Sequence, residues 1–187
     1  MKHIISALVL TLGMSSLSSA KEVAGVQIPD SFKVDNAELA LNGAGIRTKL
    51  LMDIYVGGLY LSKPSHNPAE IIAADSPMAI KLHIVSGLLT SEKMKKATME
   101  GFENATGGKI DDIKPEIDQF IAVFDKEIVE NDVFDLVYVP GKGVQVYSNS
   151  TLAATIDGGM EFKKALFGIW LSDKPAHEGL KSEMLGG

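Results

Sequence analysis

One arginine, Arg47, stands among 18 basic side chains that are otherwise lysine. It lies in the segment Asn42-Gly43-Ala44-Gly45-Ile46-Arg47-Thr48-Lys49, between two of the most apolar stretches of the chain. A guanidinium stays charged and offers five donors in a rigid fork, the geometry that grips a carboxylate or a phosphate. Placed among glycines and aliphatics, Arg47 is a candidate for holding an anion inside the fold. The competing reading is an arginine that simply ends a strand in solvent. With regular alternation, Arg47 shares a face with Leu39 and Leu41, and on the next strand Ile54, Val56, Gly58 and Tyr60 share one side. A guanidinium on an apolar face needs an anionic partner, because an unpaired buried charge is costly. That partner is either a protein carboxylate such as Asp53 or a ligand.

Other chemistry is poorly supplied. Gly43-Ala44-Gly45 is not a dinucleotide fingerprint: Thr48 occupies the third glycine position and no helix opens after it. Gly57-Gly58, within a strand-like run, marks a bulge or a close approach by a ligand or a packed helix. His66, His83 and His177 show no metal-ligand spacing, so neither a metal site nor a histidine triad is implied. Asp111-Asp112, Glu127, Glu130 and Asp132 read as solvated carboxylates. There are no cysteines, which excludes thiolate ligands and nucleophiles and leaves the core to hold the fold. No cofactor is implied. A net charge of −6 argues against nucleic acid as a partner, and Lys93, Lys95 and Lys96 read as the wet face of a helix.

The elements that must position Arg47 follow from periodicity and turn chemistry. Residues 1–20 read as a secretory signal peptide: a basic start at Met1-Lys2-His3, an apolar run from Ile4 to Met14, and small residues up to Ala20. The run is too short for a membrane span, which needs about 20 residues. Signal and acidity together imply a periplasmic or secreted protein, with residues 21–187 as one domain. Strands are expected at Val23–Ile28, Leu39–Lys49, Met52–Leu61 and Met78–Val85, the middle two forming a hairpin. Thr90 or Ser91 caps a helix bearing Met94, Ala97, Thr98, Gly101, Phe102 and Ala105, stopped at Gly107-Gly108. A second helix is expected from Ile113 to Ile128. Strands at Val133–Val139, Gly143–Ser148 and Thr151–Ile156 and a helix from Met160 to Leu171 complete the pattern, with a mobile tail after Ser172. Strands, two adjacent helices, then strands and a helix define an α+β fold with a mostly antiparallel sheet.

The segment Asn42–Arg47, the strand ending Gly58-Leu59-Tyr60-Leu61, the strand Ile80–Val85 leading through Leu89-Thr90 into a lysine-rich helix, and the closing helix with Phe162 to Trp170 resemble the chalcone isomerase family. The similarity extends over nearly the whole chain after the signal, and is nearest to bacterial chalcone isomerase-like proteins that carry signal peptides. It implies an open-faced β-sandwich, a large sheet with helices packed on one face and a cleft between them. In the family's enzymes the motif arginine holds a phenolate and assists ring closure. In its fatty-acid-binding relatives the same arginine takes a carboxylate. Arg47 matches that position. The enzymes' threonine aligns with Val56, their helix tyrosine falls near Met94 and their asparagine near Gly101, so those polar groups are missing, although Tyr55 or Tyr60 could substitute.

The ligand-facing set implied is therefore Arg47, Tyr55, Val56, Tyr60, Met94, Ala97 and Gly101. The reading that follows is an exported, non-catalytic protein holding a small hydrophobic carboxylate, such as a fatty acid, in the cleft. Two others remain open at this level. One is an isomerase or lyase in which Arg47 stabilises an enolate or phenolate and Tyr60 relays a proton. The other is an interaction module whose cleft is filled by its own side chains, with Arg47 paired to Asp53.

Overall fold

The computed structural model describes residues 20–187. The expected signal segment therefore lies almost entirely outside the described residues. Seven strands form a continuous antiparallel meander: β3 (Ser31–Val34), β4 (Ala37–Lys49), β5 (Met52–Leu61), β6 (Met78–Ile84), β7 (Val133–Val139), β8 (Gly143–Ser148) and β9 (Thr151–Ile156). The expected single strand at Val23–Ile28 is instead a separate hairpin, β1 (Ala20–Val23) and β2 (Val26–Pro29). Ala24 and Gly25 both adopt positive φ there, the backbone that a two-residue hairpin turn requires.

The helices are α1 (Pro68–Ala73), α2 (Ser91–Thr106), α3 (Lys114–Ala122), α4 (Gly159–Leu171) and α5 (Glu178–Met184). Thr90 caps α2 by accepting from Lys93 N–H, and left-handed Gly107 ends it. The expected helix from Ile113 to Ile128 is shorter. It runs through a 3-10 turn into α3 and ends in a second 3-10 turn at Val123–Asp125, where Phe124 leaves helical geometry. No helix among the described residues is long and apolar enough to cross a membrane.

The sheet divides the apolar residues between two cores. One face carries the helices, with Phe102, Phe120, Phe124 and Phe162 buried among β-strand residues such as Leu59, Leu82 and Leu136. The other packs Val56, Tyr60, Ala79 and Val137 against Val26 and Ile28 of the β1–β2 hairpin. Within this second face Lys81 pairs with Asp135 across neighbouring strands at 2.6 Å.

The segment after Ser172, expected to be mobile, is ordered. Leu180 and Met184, four residues apart on one side of α5, are both 0% exposed. The helix seats on glycines: a Cβ at Gly57 would stand 2.7 Å from Met184 Cε, and at Gly43 or Gly45 it would collide with Glu183. A packed helix thus accounts for Gly57. Beyond Ala40, strand β3 no longer pairs with β4, so that edge needs other partners. Glu183 Oε2 accepts from Ile46 N–H at 3.1 Å, Lys21 Nζ donates to the Ala44 carbonyl at 2.8 Å, and Asn42 Nδ2 donates to the carbonyls of Ser65 and Met184 at 2.9 Å.

Lys163 of α4 is 0% exposed and donates to the carbonyls of Ile71, Ile72 and Ala74 at 3.0, 2.8 and 2.7 Å, closing the C-terminus of α1. Burial pushes its ammonium down to about 8, against an opposing pull from Asp75. A lysine depressed on folding is bound more tightly by its proton in the unfolded chain, so its contribution to stability rises with pH between the folded and unfolded values. The stability of the wild type minus that of Lys163→Met should climb from about pH 8 towards 10.5. The slope should be at most about 1.4 kcal/mol per pH unit. Urea unfolding of both proteins across that range measures it, and a flat difference would contradict the assignment.

Candidate functional site

Arg47 does not lie on the face that regular alternation predicts. The β4–β5 register slips between Leu41 and Gly43, so that Leu41 opposes Tyr60 while Gly43 opposes Leu59. One extra residue reverses every side chain beyond it. Leu39 stays in the core under the β1–β2 hairpin, whereas Gly43, Gly45 and Arg47 turn to the helix side. Arg47 pairs with Tyr55 in register, and its Cζ sits 5.5 Å from the Tyr55 ring centroid. This is cation–π distance.

Asp53 is exposed and opposes Thr48. Among the described residues no carboxylate forms an ion pair with Arg47. The expected alternative pairing of Arg47 with Asp53 is therefore not formed.

Arg47 stands between two spaces. Inward is a void of about 20 Å³ lined by Tyr55, Leu82, Met94, Thr98, Phe124 and Trp170 among others. That is room for about one water. Outward is a mouth of about 320 Å³ lined by Lys49, Leu50, Met52, Ile54, Leu88, Leu89, Lys93, Lys96, Ala97 and Glu100. This lies at the small end of the range of ligand pockets. Arg47 and Ala97 line both spaces.

Tyr55 supplies the second polar group. Trp170 Nε1 donates to its hydroxyl oxygen at 2.9 Å in a buried bond. The indole N–H occupies the acceptor side of that hydroxyl and leaves its proton available to donate. Burial raises the Tyr55 phenol above its ordinary value, opposed by the Arg47 charge and by the Trp170 hydrogen bond. The group is thus a neutral donor at physiological pH. Thr98, buried on α2, adds a third polar group, a second hydroxyl, to the wall of the inner void. A guanidinium, a phenol and an alcohol around a small apolar space form an anion site that can carry an apolar tail.

Of the residues expected to face a ligand, Arg47, Tyr55, Met94 and Ala97 come together here. Three do not. Val56, 0% exposed, packs in the opposite core with Ile28 and Leu39 because it neighbours Tyr55 on the strand and so points the other way. Tyr60 is in that core as well. Its hydroxyl donates to the Pro29 carbonyl at 2.9 Å, and burial followed by the charges of Asp135 and Asp30 drives its pKa well up. Gly101 faces α4, where a Cβ would come 2.7 Å from Ile169 Cγ2, so it serves the helix contact. Thr98 and Trp170 were legible only as members of apolar helix faces. Among the described residues no cluster of three or more His, Cys, Asp or Glu side chains is arranged to hold a metal ion.

The family model described as chalcone isomerase-like matches residues 20–186, and the chain belongs to that family. No curated protein matches it. Among solved structures it is similar to a fatty-acid binding protein of Arabidopsis thaliana, with 19% identity, a TM-score of 0.66, and coverage of 86% of this chain and 92% of that one. At that identity the likeness concerns the fold, an antiparallel sheet with helices on one side.

The Tyr55–Trp170 bond should be a coupled pair. Tyr55→Phe strands a buried indole N–H and should cost about 1–3 kcal/mol. A double-mutant cycle with Trp170→Phe, followed by urea unfolding, should give a coupling of about 0.5–3 kcal/mol. Additive losses would mean that the bond does not orient Tyr55.

Proposed function

We propose that this protein binds a small hydrophobic carboxylate, such as a fatty acid, without transforming it, and that it does so after export to the periplasm or outside the cell. One observation carries the binding reading. The single arginine sits on the helix side of the sheet, at the junction of the inner void and the mouth, with no protein carboxylate paired to it among the described residues. A carboxylate there would receive the forked guanidinium bonds, with Tyr55 and Thr98 as flanking donors. Its tail would lie along Ile54, Leu89 and Met52 in the mouth, since the inner end is closed by Met94, Phe120 and Phe124.

Two further facts support this reading. The related fold of the plant protein belongs to a fatty-acid binder. The proton relay that an isomerase of this kind would draw from Tyr60 lies across the sheet, tied to Pro29. The export reading rests on the basic, apolar and small-residue order of residues 1–20.

The test is displacement of a fluorescent fatty acid by decanoate, alongside native mass spectrometry of the purified protein. Arg47→Gln should weaken binding by about 1.5–3 kcal/mol, roughly 10- to 150-fold, the worth of hydrogen bonds to a charged group. Unchanged affinity in that variant, or no bound acid in the wild type, would overturn the proposal.

A further inference from the structure

The β4–β5 turn holds two leucines where the fold gives them nothing to pack against. Leu50 is 84% exposed and Leu51 100%. Both adopt positive φ, +50° and +65°, in a two-residue turn between Lys49 and Met52. That backbone favours asparagine and glycine, so two leucines there are conformationally strained as well as wet. Met52 beside them is 40% exposed, and Leu88, on the loop between β6 and α2, is 56% exposed. These residues bracket the mouth described above. Lys93 Nζ donates to the Leu88 carbonyl at 2.8 Å, fixing that loop against α2.

The charges at this end oppose those of the whole. Among the residues lining the mouth, Arg47, Lys49, Lys93 and Lys96 are basic and Glu100 is the acid, in a chain of net charge −6. Exposed leucines at a tip, collared by lysines, match an anionic lipid surface: aliphatic groups enter the acyl boundary and ammonium groups meet the phosphates. A second copy of the chain fits less well, because a symmetric contact would set this basic collar against itself.

We infer that the tip Leu50-Leu51-Met52, with Leu88 and the collar of Lys49, Lys93 and Lys96, docks on an anionic lipid bilayer. The docked mouth then opens directly onto the membrane. A hydrophobic acid can pass between bilayer and cleft without crossing water, a use of the surface that rests on the binding proposed above.

Vesicle co-sedimentation tests the docking. The purified protein is mixed with vesicles of phosphatidylcholine alone or of equal parts phosphatidylcholine and phosphatidylglycerol. Residues 1–20 are the same in every sample, so differences between variants report the tip. The wild type should partition onto the mixed vesicles, more weakly onto phosphatidylcholine, and less as salt rises. Leu51, which does not line the mouth, is changed to glutamate. Leu51→Glu should lower partitioning by at least about tenfold, while decanoate affinity measured from solution stays at the wild-type value.

Equal partitioning of wild type and Leu51→Glu, or no partitioning with decanoate affinity intact, would overturn the docking alone. A concentration-dependent dimer in sedimentation velocity that Leu51→Glu dissolves would overturn it in favour of self-association. Partitioning lost in Leu51→Glu, with no decanoate bound by either protein, would uphold docking and refute the binding reading.

Discussion

A single extra residue in β4 decides what kind of protein this can be. The register slip between Leu41 and Gly43 lets Leu39 face one core and Arg47 the other. Without it the guanidinium would point toward the β1–β2 hairpin side of the sheet, where Val26, Ile28, Val56 and Tyr60 are packed, and not toward the cleft. With it, Gly43, Gly45 and Arg47 form one lane on the helix side. The two glycines admit α5 to close approach, and the arginine, one step past the helix, meets the cleft. A bulge is thus the device that converts a strand of the sheet into one wall of a site.

The cleft is not an empty bowl waiting for a ligand. Its inner end has been packed to about 20 Å³ by Met94, Phe120, Phe124 and Trp170, and its outer end opens to about 320 Å³. Arg47 sits at the transition, where the side chain is half-buried and still reaches water. That position resolves the energetic difficulty of an unpaired guanidinium: it keeps part of its hydration and stacks on the Tyr55 ring, so the full cost of a buried charge is not incurred. Burial lifts the Tyr55 phenol above its usual value even beside a positive charge, which keeps it protonated and able to donate. The arrangement is well suited to holding an anion.

Much of the architecture was legible because its signals are local. The β4–β5 hairpin, the last three strands, the Thr90 cap and the Gly107 stop follow from alternation and turn chemistry. What escaped depends on contacts distant in sequence. The bulge carries no residue signature of its own, and regular alternation therefore grouped Arg47 with Leu39 and Leu41, although only Arg47 lies on the site's side. Val56 and Tyr60, taken as ligand-facing from the family resemblance, belong to the opposite core. α5 is too short and polar to stand out, and its two buried residues, Leu180 and Met184, gain meaning only against Gly57. Thr98 was read as one residue of an apolar stripe because its hydroxyl acquires a role only once α2 crosses above Tyr55. The glycines of Asn42–Arg47 were equally visible, but their partner, Glu183, is well over a hundred residues away.

The central claim is that a carboxylate occupies the cleft beside Arg47. Burial in an apolar pocket and proximity to a guanidinium shift a carboxyl in opposite directions, which makes its titration decisive. Decanoate labelled with carbon-13 at the carboxyl, followed by NMR in the presence of the protein as pH is lowered, reads that shift directly. The account predicts a distinct bound resonance that remains ionised below the pH at which the free acid protonates. A bound resonance that protonates at higher pH than the free acid would place the carboxyl in an apolar environment away from Arg47 and contradict it.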